Sequence, residues 1–163
     1  MHTADALREY HERAHGNLRE LIAHGLELDV DEADRELAGF GYSTVRLQLH
    51  HVIGAERYWI GVLEGRIDAD DDSDDYPTVG SLEVMRRAVF AATEAYLQSA
   101  SSEELNTPRA MMTWRGHERV LVPAHVLMRT LTHIYQHQGQ VAAMCRLLGK
   151  PYGGGDYPIA AGE

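Results

Sequence analysis

The chain has 163 residues, enough for one domain around one core, and its 44% hydrophobic content is ordinary for a globular protein. With 25 acids against 15 bases, a formal charge of −10 and a single lysine, Lys150, it has no basic tract. That excludes nucleic-acid binding through clustered cations and a polybasic membrane anchor. Its one cysteine, Cys145, excludes an intrachain disulfide, and no apolar run approaches the roughly 18–20 residues of a membrane span. Met1-His2-Thr3-Ala4-Asp5 has no secretory pattern, so the expected location is the cytoplasm.

Four stretches carry helical periodicity within one expected domain, residues 1–163. The first spans about Ala4 to His24, with Leu7, Tyr10, Ala14, Leu18, Leu21 and Ile22 at three- and four-residue steps. The second spans about Ser43 to Leu63, with Ser43 as the expected N-cap and Gly65 as its stop. A loop follows that holds Asp70, Asp71, Asp72, Asp74, Asp75 and Pro77. It is long enough for the helices on either side to run parallel. The third helix is expected from about Ser81 to Ser99. The stretch from Ala100 to Val122 is irregular, with room for short extended pieces. The fourth helix runs from about Pro123 to Leu148, opened by proline and closed by Gly149-Lys150-Pro151. The expected class is all-α, a four-helix bundle. The glycine-rich tail from Pro151 onward shows no helical pattern.

His133 and His137 lie four residues apart on the fourth helix, within about 40° of each other on the wheel. Side chains so placed converge on one metal ion. In the second helix, His51 falls at the edge of the apolar stripe, while His50 falls nearly opposite and is expected to face water. Three histidines on the margins of two core-facing stripes suit a metal site in a bundle wall. The alternative is solvated or capped histidines on helix flanks. His2, His11, His15 and His24 show no tight partner and are expected on the surface or flanks of the first helix. His125 is offset from His133 by about 80° and does not fit as a ligand. His117, in the irregular segment, is a candidate to approach a metal or a substrate, or else a surface residue.

Glu56 sits inside the apolar stripe of the second helix and needs a partner, because an unpaired buried charge is costly. One reading is an ion pair with Arg19, Arg129 or Arg146. The other is an acceptor that orients a metal-bound imidazole. Cys145 falls on the core face of the fourth helix and is expected to be packing. Ile53, Ile60, Leu82, Met85 and Val89 are expected to extend beyond one core and to supply a dimer face.

Leu49-x-His51-Val52-x-x-Ala55-Glu56-x-x-Trp59 resembles the second-helix motif of the DinB-like (YfiT-like) metal-binding proteins. Thr132-His133-x-x-x-His137-x-Gly139-Gln140-Val141, followed by Arg146-x-x-Gly149, resembles their fourth-helix motif. The resemblance spans Leu7 to about Gly149. It implies an up-down-down-up four-helix bundle, a homodimer, and a divalent metal ion on His51, His133 and His137. Gln138 departs from the arginine that many members carry after the last ligand, and the tail departs from their usual aromatic ending. Some relatives transfer low-molecular-weight thiols to electrophiles, and others are thiol-dependent isomerases. The implied function is therefore a metal-dependent thiol S-transferase acting on small molecules, with Zn, Ni or Fe as the ion and a cellular thiol as cosubstrate. The alternatives are a metal-dependent hydrolase, a thiol-dependent isomerase and a non-catalytic structural or stress-response metal-binding protein.

Overall fold

Four apolar stripes at helical spacing become four long helices in a computed structural model, which describes residues 1–67 and 72–159. They are α1 (Ala4–Gly25), α3 (Val45–Leu63), α4 (Val79–Ser99) and α6 (Pro123–Leu147). Short helices α2 (Val30–Ala33) and α5 (Ser102–Asn106) and a hairpin of β1 (Arg109–Thr113) and β2 (His117–Leu121) complete the chain. The protein is mostly helical, as expected. Helix α1 packs on α4 and α6, and α3 packs on the same two, so the four close into a ring. Asp70 and Asp71 lie outside the described residues; Asp72, Asp74 and Asp75 form or flank a turn of 3-10 helix at Ser73–Asp75.

The helix ends follow local hydrogen-bond chemistry. Thr3 Oγ1 accepts from Ala6 N at 3.2 Å to start α1. The cap of α3 is Thr44 rather than Ser43, because the Thr44 hydroxyl reaches Leu47 N at 3.1 Å. Helix α4 begins two residues before the expected start: Thr78 and Ser81 cap each other's backbone N–H reciprocally. Helix α6 ends in a Schellman motif, with Lys150 N donating to Cys145 O and Gly149 N to Arg146 O, and Gly149 takes the positive φ of 81° that the motif needs.

The core takes in the residues expected to lie at a dimer face. Ile53, Ile60, Leu82, Met85 and Val89 are at most 3% exposed within one chain. They fill the ring, so the apolar surplus inferred for those helices is core rather than interface. Cys145 is buried, as its position on α6 requires.

The irregular segment hides an antiparallel hairpin, with Thr113 opposite His117 and Arg109 opposite Leu121. Its turn places Arg115 at φ 58° and Gly116 at φ 73°, both left-handed. Glycine takes this freely; arginine does so at a cost. Arg115→Asn should therefore raise stability on the order of 0.5 kcal/mol, a gain of about 1–2 °C in Tm, checked by thermal denaturation.

The tail straps back along α1. Arg13 donates to Pro158 O at 3.1 Å, Asn17 to Asp156 O at 2.7 Å, and His24 Nε2 to Lys150 O at 2.9 Å.

Candidate metal centre

Helices α3 and α6 lie side by side and bring His51 against His133 and His137. Ring centroids are 5.1 Å apart for His51 and His133, 4.8 Å for His51 and His137, and 4.2 Å for His133 and His137. The Nε2 atoms of His133 and His137 face each other at 2.9 Å. One ligand atom from each ring lies within 4.8 Å of the others, a spacing compatible with a metal ion. The Tyr42 ring stacks on His51, with centroids 4.0 Å apart, and restrains its plane.

These rings are held neutral. Burial, then the His137 and His50 rings, lowers His51 to about 4. Burial, then His137, His51 and Arg129, lowers His133 to about 4. Burial also lowers His137. A neutral imidazole is the form that donates to a metal.

The surroundings of His137 test whether the cluster fits an ion. Gln48 is fully buried; its Nε2 faces both His137 Nδ1 and Gln140 Oε1. Its Oε1 is buried and has no hydrogen-bond partner among the described residues. Turning this amide by 180° exchanges its two ends. Oε1 then accepts the Nδ1–H of His137, which frees Nε2 of that ring for an ion, and a Gln140 amide turned likewise donates to the same oxygen. The turn moves the unpartnered position from Oε1 to the amide nitrogen, and what it secures is the His137 tautomer that a metal requires. The residues present fit the group.

The cluster opens on a cleft of about 940 Å³. His51 and His133 line it, together with Tyr58, Trp59 and Trp114. The hairpin forms one wall, and the Tyr58 hydroxyl accepts from Trp114 N at 2.9 Å, tying that wall to α3. The irregular segment therefore shapes the site, which its residues did not reveal. Among the described residues, no fourth His, Cys, Asp or Glu joins the three histidines. His117 is exposed at the start of β2 and lies outside both the cluster and the cleft lining. His125 is exposed and meets the edge of His2. His50 does not simply face water: it is half-buried in the cleft wall against Tyr76.

Glu56 belongs to a second, fully buried cluster. Its partners are none of the expected arginines but two histidines of α1 expected on the surface. Glu56 Oε1 lies 2.9 Å from His11 Nε2, and Oε2 lies 2.7 Å from His15 Nε2. Thr93 Oγ1 donates to Oε1 at 2.7 Å. On the far side, His11 Nδ1 lies 2.9 Å from Glu94, which also pairs with Arg8 at 3.1 Å. His11 and His15 are 1% and 2% exposed. Both lie within the stripe of Leu7, Ala14 and Leu18, so burial follows from position.

Its ligand atoms are also spaced for a metal ion, but the hydrogen bonds favour protons. Arg86 Nη1 donates to His15 Nδ1 at 3.2 Å, so the ring's proton sits on Nε2 and is donated to Glu56. An ion on that Nε2 requires a proton on Nδ1, facing a guanidinium. His11 has a carboxylate on each nitrogen and donates to both as an imidazolium. Burial lowers its pKa, but Glu56 and then Glu94 outweigh this and raise it overall. For His15, burial wins and lowers the pKa. Burial pushes Glu56 up, yet His15 and His11 hold it well below the carboxylate range.

Fold and site together define a helical-bundle protein with a three-histidine cluster on an open cleft. The chain matches the model of the DinB family over residues 1–162 and belongs to that family. Its fold is similar to a crystal structure described as the conserved protein of locus from Enterococcus faecalis, with a TM-score of 0.66 over 91% of this chain and 98% of that one. At 19% identity, the likeness is one of fold. No curated protein matches this chain.

Proposed function

We propose that the protein holds a divalent metal ion, Zn, Ni or Fe, on His51, His133 and His137, and uses it as a thiol S-transferase on small electrophiles. The observation that carries this reading is the three-histidine cluster with two of its rings in a cleft wall and no fourth protein ligand among the described residues. A structural ion that merely clamps α3 to α6 needs a closed coordination shell, whereas a catalytic one keeps a position open. When bound, the ion supplies Lewis acidity that acidifies a coordinating thiol. The chain's own residues do the rest. Tyr42 and Gln48 hold the rings of His51 and His137, and Tyr58, Trp59 and Trp114 offer aromatic walls for an electrophile. The up-down-down-up order, the single-domain organisation and a cytoplasmic location belong to the same reading, as does a homodimer, which would use a surface other than the buried residues named above.

The test is the metal-loaded protein with mycothiol, bacillithiol or glutathione and a chromogenic electrophile. A metal-dependent rate is expected with at least one thiol, with its advantage over the uncatalysed reaction largest below the free thiol pKa of about 8.5. Stoichiometric metal with no such rate would favour the structural reading; release of a product from water alone would favour a hydrolase.

A further inference from the structure

The cleft carries cations that the metal reading leaves unused. Arg129 sits on α6 one turn before His133, and its guanidinium lies over the Trp59 ring, 5.3 Å from the centroid. Arg119 reaches the same cleft from β2. Among the described residues, no carboxylate pairs with either guanidinium within 4.0 Å, although Arg8, Arg46, Arg86 and Arg87 are all so paired. In a chain of formal charge −10, two arginines lining one cleft without an ion-pair partner among the described residues stand out. Asp72 is the one acid in the described lining, and its carboxylate is turned to its own backbone, accepting from Asp74 N at 3.0 Å.

We propose that this cleft binds a small organic oxyanion with an aromatic body, its anionic group on Arg129 and Arg119 and its ring among Tyr58, Trp59 and Trp114. The inference rests on the cleft being the substrate site of the proposed enzyme, and it names the class of that substrate. Guanidinium forks match carboxylate and phosphate oxygens in two parallel hydrogen bonds. Stacking on Trp59 restricts Arg129 before a ligand arrives, so less rotamer freedom is lost on binding. Gly54 and Ala55 place little bulk in the α3 part of the lining, which leaves room for a planar ring. The volume of about 940 Å³ lies in the range of small-molecule sites. The position of Arg129 one helical turn from His133 puts the anion beside the histidine cluster rather than on it.

The probes are phenylacetate, phenyl phosphate and the neutral phenylacetamide, titrated calorimetrically into the full chain with and without Zn²⁺, with metal content measured on the same samples. One or both anions are expected to bind at least tenfold tighter than the amide, and the better one identifies the oxyanion. Arg129→Gln should cut that preference at least fivefold and leave amide binding unchanged; adding Arg119→Gln should abolish it. Both side chains are exposed, so circular dichroism should be unaltered. Equal binding of anion and amide would overturn the proposal, as would an anion preference that survives in the double variant, since the ion alone would then be the receptor. An arginine-dependent preference in protein that binds no metal would uphold the proposal while removing the metal reading. Stoichiometric metal without any preference would do the reverse.

Discussion

Replacing His133 with alanine should cost the protein its divalent ion while leaving its helices in place. Two imidazoles remain, and the loss in affinity should exceed about a hundredfold, more than the roughly 10–100-fold that removal of an outer partner costs. His137→Ala and His51→Ala should behave alike, since one ligand atom of each ring lies within 4.8 Å of the others. His50→Ala should keep the metal, because His50 turns to Tyr76 instead. Gln48→Leu separates ligand from support: it removes the amide that holds His137 Nδ1 and should weaken binding by about 10–100-fold without abolishing it. Metal competition titrations with circular dichroism on each variant check the series. Retention of the ion in His51→Ala and its loss in His50→Ala would overturn the assignment of the site to the inner face of α3.

The difference between what periodicity reveals and what it hides is visible in these same residues. Apolar repeats placed α1, α3, α4 and α6 to within two residues at each end, because every one of those helices buries a continuous stripe. The histidine pair of α6 was legible from spacing, and His51 from its wheel position. The hairpin was not: burial alternates along β1 at Met111 and Thr113, but its outward Ala110 and Met112 are apolar too and β2 is exposed almost throughout, so no alternation of residue type marks it. The second cluster was half legible. Glu56 in an apolar stripe announced a missing partner. His11 and His15 share the four-residue spacing of His133 and His137 and fall on the stripe of α1, which is the signal that locates them. What concealed them is chemistry rather than pattern, since a buried polar residue looks like a surface residue until its partner from another helix is known.

That cluster yields the second large effect. Glu56→Gln should lower stability by about 3–5 kcal/mol, a fall of roughly 6–20 °C in Tm, because it leaves an imidazolium buried with half its compensation. The pH profile carries the sign. His11 has a folded pKa above its ordinary 6.5, so its contribution is complete below pH 6.5 and is lost as pH rises through the folded value. His15 is shifted the other way, so stability falls as pH drops below 6.5 and the unfolded chain takes up its proton. Glu56 is depressed below 4.5, so its contribution is complete above pH 4.5 and is lost as pH falls towards the folded value. Together with His51, His133 and His137, which are also lowered and so lose stability on the acid side as His15 does, they place the stability maximum of the metal-free protein near pH 6.5. Removing the Glu56 charge takes away the main force that raises His11, so the alkaline limb should flatten in Glu56→Gln, while the acid limb, shared by His15 and the three-histidine cluster, persists. Thermal denaturation from pH 4 to 9, in chelator so that the three-histidine cluster adds no metal term, measures both limbs. A variant with the wild-type alkaline slope would show that Glu94 alone sustains the charge on His11. A loss below about 1 kcal/mol would show that the buried charges are compensated without Glu56.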